Sequence, residues 1–401
     1  MNRYPSYKPS GVKWLGEIPS HWEVNKAKYL WKESFSVSEN GNEELLSVSQ
    51  YDGITPAKGD SRSESLKGYK IVSENDLVIN IMLAWMGGLG VSKYDGIVSP
   101  AYCVYKLTND SNPKYLHYLY KTPLYLAEFA RRSSGVIPSR WRMYTDDFGQ
   151  VVSLLPPRKE QDAIVEYLDE KMAKIDAAIA QQQKMIDLLN ERKQIIINRA
   201  VTCGLNPNAK MKDSGVEWIG EVPEGWEVRK LKHLGSIKSG DGIKNEELLE
   251  YGKYPVWGGN GLMGYTDKYN KDKNAIVIGR VGALCGNVRY LSTPTFVTDN
   301  ALIFDITEKV NHLFLLYTMQ AANLNSLNSS NAQPLITGTK VKNVVIPFPD
   351  IEEQTRITIF IKKQCENIDE AIVNYQQQIS LLQERKQIII NEVVTGKVKV
   401  I

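Results

Sequence analysis

The sequence contains little of what metal-binding, secreted or membrane proteins display. Its four cysteines and four histidines are scattered, with no CxxC pair, which argues against a zinc cage or a disulfide framework. The longest apolar run, Val78 to Val91, includes Asn80 and three glycines and is too short to span a bilayer. The opening residues lack the charged-then-apolar layout of a secretion signal. We therefore expect a cytoplasmic chain without a metal site or membrane contact.

The sequence also lacks recognisable catalytic motifs. GNGLMG at Gly259 to Gly264 matches GxGxxG, but neither a buried strand before it nor a helix after it completes the dinucleotide fingerprint. A glycine-rich turn is the better interpretation. No GxxxxGK[ST] phosphate loop, no amino-methyltransferase tetrapeptide and no complete nuclease pattern occurs. The sequence thus predicts no catalytic residue.

Charge of either sign is not in excess. The 401 residues carry a net charge of +3, with 42% hydrophobic and 24% charged residues, the composition of a globular protein of two or three domains. A chain so close to neutral neither demands nor excludes a polyanionic partner. Any nucleic-acid site must therefore be argued from a local patch.

What the sequence does contain is one cassette used twice. ERKQIIIN spans Glu191 to Asn198 and recurs letter for letter at Glu384 to Asn391, 193 residues later. Further upstream, SGVKWLGEIPSHWEV (10–24) returns as SGVEWIGEVPEGWEV (214–228), 204 residues later. Each copy has a tryptophan-rich opening, a variable stretch and a long helical segment. Such self-similarity predicts an internally repeated fold.

Both helical segments carry an apolar heptad stripe. The a and d positions are filled by Val165, Leu168, Met172, Ile175, Ile179, Gln182, Ile186, Leu189, Lys193, Ile196 and Ala200 in the first segment, and by Ile361, Cys365, Ile368, Ile372, Tyr375, Ile379, Leu382, Lys386, Ile389 and Val393 in the second. A seam this narrow is covered only by another such helix, and the other copy is the natural partner. Lys193 and Lys386 at matched a positions either specify the register of the pair or bind a partner subunit.

The two variable regions resemble each other faintly. Buried strands are predicted at DLVINI (76–81) and AIVIGR (275–280), each followed by a glycine-rich loop. An apolar segment, a helical stretch and an SSxxxP segment then follow in both regions. We therefore predict an α+β fold. It has two similar mixed α/β domains and a pair of long coiled-coil helices, which together form an internal repeat.

A local basic patch is the main candidate for binding DNA. RRSSGVIPSRWR holds four arginines and a tryptophan in twelve residues without an acid. Arginine suits phosphate oxygens and the guanine edge, and tryptophan packs on sugar or base; an exposed basic loop is the alternative. Amide side chains of the second SSxxxP segment suit adenine edges. The predicted DNA-binding residues are Arg131, Arg132, Ser139, Arg140, Trp141, Arg142, Asn260, Arg280, Asn331, Gln333, Thr337 and Lys340.

The duplicated motifs resemble the specificity subunit of type I restriction-modification systems. The resemblance covers essentially the whole chain and is carried by SGVxWxGExPxxWEV and by PPxxEQ...IDxxI...LLxERKQIII. It implies a first target recognition domain (1–156), a first conserved spacer helix (157–204), a second target recognition domain (205–349) and a second spacer helix (350–401). It further implies that the two long helices pack antiparallel as a spacer that separates the two recognition domains, with a pseudo-two-fold internal repeat. It also implies a non-catalytic subunit that binds a split sequence in double-stranded DNA, one half by each domain.

The resemblance further implies partners and their cofactors. Two methyltransferase subunits would dock on the repeated parts, for which we predict Glu191, Arg192, Lys193, Glu384, Arg385 and Lys386. A motor-nuclease restriction subunit joins in some systems. No cofactor would be bound by this chain; S-adenosylmethionine, and ATP with Mg²⁺ where a motor is present, would be used by the partner subunits.

Three other functions stay open at this stage. The chain could serve a modification-only or type II-like methyltransferase as its specificity subunit. It could be a fused DNA-modifying enzyme whose motifs are not recognisable. It could also be a coiled-coil adaptor that binds no DNA.

Overall fold

The chain divides into two units, each built from both halves of the sequence. A computed structural model describes residues 3–50, 53–57, 65–137, 141–282, 284–328 and 334–400. The first unit combines residues 1–182 with 377–401, and the second contains residues 183–376. Each unit therefore holds one tryptophan-rich opening, one variable region and a part of both long helical segments. The boundaries expected from the resemblance, which separate the helices from the recognition domains, remain a prediction.

The elements follow the duplicated order of the sequence. The first half contains β1 (Tyr7–Pro9), β2 (Glu17–Pro19), β3 (Glu23–Lys26), β4 (Trp31–Ser34), β5 (Leu46–Ser49), β6 (Gly53–Pro56), β7 (Lys70–Val72), β8 (Leu77–Asn80), β9 (Leu89–Val91), β10 (Gly96–Val98), β11 (Tyr102–Leu107), α1 (Pro113–Tyr120), α2 (Pro123–Arg132), α3 (Thr145–Gly149), β12 (Val152–Leu155) and α4 (Arg158–Cys203). The second half contains β13 (Met211–Asp213), β14 (Glu221–Pro223), β15 (Glu227–Lys230), β16 (Gly235–Ser239), β17 (Tyr254–Trp257), β18 (Leu262–Thr266), β19 (Ala275–Gly279), β20 (Val288–Leu291), β21 (Phe296–Val297), β22 (Ala301–Ile306), α5 (His312–Ala321), α6 (Gly338–Lys342), β23 (Val345–Phe348) and α7 (Ile351–Val394).

A four-stranded antiparallel sheet forms the centre of each variable region. Its order is β4-β11-β8-β9 in the first unit and β16-β22-β19-β20 in the second. The inner strand β8 sends Leu77 and Ile79 into one core and Val78 into another. Because both faces are covered, the strand is a continuous apolar run and does not alternate. The predicted similarity of the two variable regions is confirmed at the level of fold.

The long helices pair in an antiparallel manner within each unit. In the first unit, Asp176 of α4 accepts from Lys386 of α7, and Gln182 of α4 bonds to Gln378. As the α4 numbers rise, the α7 numbers fall, which defines the antiparallel arrangement. Seam residues such as Leu168 and Val393 are buried. This confirms the predicted fold class.

The repeated tryptophan motif anchors the end of a long helix in each unit. In the first unit, fully buried Trp22 lies beside Gly396, just after α7. In the second unit, Trp226 lies beside Gly204, just after α4. Both glycines have a positive φ, +74° and +71°, a conformation that glycine adopts without strain and that commonly ends helices.

The repeated Glu-Gln pair explains a further part of the cassette. Gln161 accepts a hydrogen bond from the backbone N–H of Asn112 at 2.7 Å, and Gln354 accepts one from Asn311 at 2.9 Å. Each asparagine in turn caps the helix that follows it, α1 or α5, in the manner of asparagine at an N-cap. The buried glutamine thereby ties each variable region to a long helix.

Candidate nucleic-acid interface

In the first unit, two loops meet where β8 ends. The backbone N–H of Met143 donates to the carbonyl of Ile81 at 2.9 Å, which holds the segment before α3 against the glycine-rich loop after β8. Ser134 and Arg142 exchange two backbone hydrogen bonds of 3.0 and 2.9 Å. The RRSSGVIPSRWR segment therefore starts at the end of α2, and its described parts are joined by the backbone bonds between Ser134 and Arg142. Ser139 and Arg140 lie outside the described residues.

An aromatic pair forms the surface of this loop junction. Trp141 packs edge-to-face on Trp85, with ring centroids 5.4 Å apart at 66°. Around the pair, Met82, Met86 and Tyr144 expose 41%, 40% and 49% of their surface. An exposed apolar patch with Arg142 next to it in the chain suits insertion against bases as well as contact with phosphates.

The arginines of the patch differ in their surroundings. Arg142 is exposed, and among the described residues its side chain has no ion-pair partner. Arg131 and Arg132 both donate to Glu128, a buried carboxylate on α2. The interface is therefore less positive than the sequence of the loop alone indicates.

The second unit places Asn260 and Arg280 around a tight glycine contact. A Cβ added to Gly279 would lie 2.1 Å from the carbonyl oxygen of Gly259, so the loop of residues 258–261, which precedes β18, packs directly on the end of β19. Asn260 is exposed, and its carbonyl oxygen accepts from Nη2 of Arg289 at 3.1 Å. Arg280 donates to Ser239 Oγ at 2.8 Å while its backbone carbonyl accepts from Ile336.

The remaining predicted residues of the second unit belong to α6 and the segment before it. Thr337 caps α6 by accepting from the backbone N–H of Lys340, and Lys340 Nζ donates to the carbonyl of Leu327 at 2.8 Å. Both residues thus have structural contacts, and their predicted contact with DNA remains a prediction. Asn331 and Gln333 lie outside the described residues.

Three further residues of this region, Trp85, Glu128 and Arg289, are not among those predicted from the sequence. Trp85 follows a predicted strand in a glycine-rich loop, a signal that was available. The spacing of Glu128 from Arg131 and Arg132 is that of helical ion pairs and was also available. Arg289, whose Nη1 is buried without a hydrogen-bond partner among the described residues, lies inside a strand and gave no sequence signal.

The repeated helix faces have matching exposure. Glu191, Arg192, Glu384 and Arg385 are all exposed. One turn to either side, apolar residues are exposed as well: Leu188 (48%) and Ile195 (58%) on α4, and Leu381 (64%) and Ile388 (48%) on α7. Residues spaced by three, four and seven share one face of a helix. Each long helix thus presents the same mixed apolar and charged surface.

Lys193 and Lys386 contact the opposite helix instead of extending from that surface. Lys193 Nζ lies 2.7 Å from both carboxylate oxygens of Asp369, and Lys386 Nζ lies 2.6 and 2.8 Å from those of Asp176. The four residues are related by the 193-residue repeat. These ion pairs support the alternative in which the lysines specify register; their contact with a partner stays a prediction.

Other kinds of site are not evident in the described part of the chain. No group of three or more His, Cys, Asp or Glu residues there is arranged to hold a metal ion. No helix among the described residues is long and apolar enough to cross a membrane.

Comparison with known proteins finds similar chains among restriction enzyme subunits. The family model described as "Type I restriction modification DNA specificity domain" matches residues 223–380. The MjaVIII specificity subunit of Methanocaldococcus jannaschii, a type I restriction enzyme subunit, is 25% identical over 361 residues, covering 82% of this chain and 80% of the relative. The EcoprrI specificity subunit of Escherichia coli is 32% identical over 141 residues, covering 33% of this chain and 35% of that protein.

A solved structure has the same fold. It is described as "Structural basis underlying complex assembly and conformational transition of the type I R-M system" and aligns with a TM-score of 0.69 at 14% identity, covering 95% of this chain and 99% of the other. The chain is similar over most of its length to type I restriction enzyme specificity subunits, and residues 223–380 match the type I DNA specificity domain. The predicted resemblance, and with it a role in DNA recognition instead of catalysis, is confirmed.

Proposed function

We propose that this chain reads a bipartite sequence in double-stranded DNA, one half through each unit, and docks two methyltransferase subunits on its long helices. The observation that carries the first part is the pair of equivalent loop junctions at the ends of β8 and β19. Their backbones are joined alike, through Met143 to Ile81 and Ile336 to Arg280. Their side chains differ, being aromatic and arginine-rich in one unit and rich in glycine and amides in the other. One scaffold with two chemistries suits two different half-sites.

The docking part rests on the repeated helix faces. If two identical methyltransferase subunits bind, each needs the same surface, and ERKQIIIN supplies it twice. The exposed leucine and isoleucine beside each Glu-Arg pair offer an apolar contact within a charged rim, the usual anatomy of a protein interface. Glu191, Arg192, Glu384 and Arg385 are the residues that we assign to this contact.

The proposal assigns the chemistry to the partners. This chain supplies DNA recognition and positioning, and the methyltransferase subunits use S-adenosylmethionine. A motor-nuclease subunit, where one accompanies the complex, uses ATP and Mg²⁺. The proposal keeps the expected cytoplasmic location, where such a complex meets DNA.

Base-resolution mapping of modified bases tests this function. In cells that express the chain with its methyltransferase, we expect one split motif that disappears when this chain is omitted. A coiled-coil adaptor predicts no motif that depends on the chain. A fused enzyme predicts that the purified chain alone modifies DNA when given S-adenosylmethionine, and either result would overturn the proposal.

A further inference from the structure

A buried carboxylate holds two adjacent arginines at the edge of the first unit's interface. Glu128 lies on α2, and its side chain is only 2% exposed. Arg131 donates to it through Nε at 2.7 Å and Nη2 at 2.8 Å, and Arg132 donates through Nε at 2.6 Å. The three hydrogen bonds leave the carboxylate well satisfied without solvent.

Burial of the Glu128 carboxylate is opposed by its contacts with the two arginines. Burial raises the pKa of Glu128, but the hydrogen bonds and charges of Arg131 and Arg132 outweigh burial and hold the pKa below its ordinary value. The carboxylate therefore stays ionised. Two arginines and one carboxylate carry a net charge of +1, half of what the arginines alone would offer to DNA. A segment selected only for attraction to phosphate gains nothing from such a neutralising group.

The geometry of Glu128, Arg131 and Arg132, called the triad below, determines which arginine N–H donors remain for DNA. Arg131 binds Glu128 with one side of its guanidinium, and its side chain stays 63% exposed. Arg132 uses Nε alone, so both terminal nitrogens keep the parallel fork that matches guanine or a phosphate. Neither arginine donates to another residue in the ranges that the structure describes.

We propose that Glu128 is a positioning residue that holds Arg131 and Arg132 in their DNA-reading orientation before DNA binds. The inference rests on the proposed function, in which this edge of the unit faces DNA. Arginine side chains lose rotamer freedom when they bind, and prior ordering removes part of that loss. α2 packs on the glycine-rich loop that carries Trp85, with Leu126 3.6 Å from the Cβ position of Gly87. Ser134, two residues after Arg132, exchanges backbone hydrogen bonds with Arg142, which is next to Trp141 in the chain. The end of α2 that carries Arg131 and Arg132 is thus joined to the segment that carries Trp141.

Three variants separate positioning from packing. Glu128→Gln keeps the shape and loses the charge, whereas Glu128→Asp keeps the charge and shortens the reach. Glu170→Gln removes the same charge from an exposed pair with Lys174 on α4 and serves as the matched control. Each is expressed with the methyltransferase for modification mapping, and the purified complexes are titrated with a pool of random-sequence duplexes across a salt series.

Positioning predicts opposite changes in specificity and in general affinity. For Glu128→Gln we expect the modified motif to broaden at a base pair of one half-site, with discrimination there falling about tenfold or more. Binding to the random pool should hold or tighten, with a salt slope steeper by about one unit, because the triad gains a positive charge. The modified motif of Glu128→Asp should be broader than the parental motif and narrower than that of Glu128→Gln. Glu170→Gln should keep the parental motif.

Three results would overturn the inference. An unchanged motif for folded Glu128→Gln, a greater loss for Asp than for Gln, or an equal loss of modification at every site with a lower melting temperature would make Glu128 a structural residue. If Glu128→Gln does not fold, Glu128→Asp decides: a broadened motif supports positioning and a parental motif refutes it. Absence of any motif with the parental chain would refute the proposed function itself, which keeps the two failures apart.

Discussion

Reversing the charge of Lys193 should weaken the pairing of the long helices in the second unit, and reversing Asp369 as well should restore it. Lys193→Glu replaces an attraction with a repulsion, because the new carboxylate faces the Asp369 carboxylate that Lys193 now contacts through both oxygens at 2.7 Å. The double variant with Asp369→Lys re-forms the pair with its polarity exchanged. The pair of Lys386 with Asp176 in the first unit permits the same experiment a second time.

The structure sets the size of the effect. Two unit charges about 4 Å apart attract by about 4 kcal/mol at an effective dielectric constant of about 20. Asp369 keeps 55% of its side chain exposed and Lys193 keeps 26%, so solvent screens much of this attraction. Measured exposed pairs contribute about 0.2 to 1 kcal/mol, and contact with both oxygens places this pair at the upper end. Reversal should therefore cost about 2 kcal/mol, half from lost attraction and half from repulsion.

Denaturant unfolding of the parent, both single variants and the double variant gives the coupling free energy directly. We expect about 1 kcal/mol or more of recovered stability in the double variant. The Glu170–Lys174 pair lies along a single helix, and the same cycle there should give about 0.3 to 0.5 kcal/mol. If the double variant is no more stable than the two single effects added together, the lysines do not specify register through these aspartates.

Three further predictions concern a buried histidine of the first unit and the two recognition surfaces. Burial first, and then nearby lysines, lower the pKa of His117 to about 4. As pH falls, the unfolded chain therefore binds a proton at this histidine before the folded chain does, and the free energy of unfolding should drop by about 2 kcal/mol between pH 7 and pH 5. His117→Leu should flatten this profile in pH-dependent unfolding. Gly279→Ala places a Cβ 2.1 Å from the Gly259 oxygen and should displace the loop of residues 258–261. Modification mapping should then show lower base selectivity in one half of the motif. Arg142→Ala should cost about 1 to 3 kcal/mol in binding to the target and relax one base pair of the other half.

Each of these predictions has a control. Leu316 stands in the second unit where His117 stands in the first, five residues after the capping asparagine, so Leu is a residue that this position of the fold accommodates. Gly242 has open space at its Cβ position, and Gly242→Ala should leave the motif unchanged. Equal loss of affinity for target and scrambled duplexes in Arg142→Ala would assign Arg142 to phosphate. A parental pH profile in His117→Leu, or a parental motif in Gly279→Ala, would contradict the corresponding reasoning.

The repeated elements could be predicted from the sequence because their signals are local or duplicated. Heptad spacing defines which faces of α4 and α7 are buried, and the matching strands β8 and β19 stand out as apolar runs before glycines. Duplication adds information that one copy lacks. A helix with an uncovered apolar seam needs a partner helix, and the second copy in the same chain supplies one. The register chosen by Lys193 and Lys386 needed the structure, because a lysine in a seam fits two explanations.

The recognition surfaces were less predictable because they depend on contacts between distant segments. Trp85 and Trp141 lie 56 positions apart in the chain, and nothing local indicates that their rings meet. The basic patch has four positive charges in the sequence, whereas Glu128, three residues before it, neutralises one of them in the structure. Arg289 lies within a strand and gives no sequence signal. It becomes a candidate for the nucleic-acid interface only through its hydrogen bond to the carbonyl of Asn260 in the loop of residues 258–261.

Exchange of one variable region tests the central claim, that each unit reads one half of the target independently. A chimera keeps residues 1–228 and the chain from Pro347 onward, and receives a different variable region between them. With its methyltransferase in cells, base-resolution mapping should show a split motif with one half replaced and the other half as in the parent. A motif changed in both halves, or in neither, would contradict the claim.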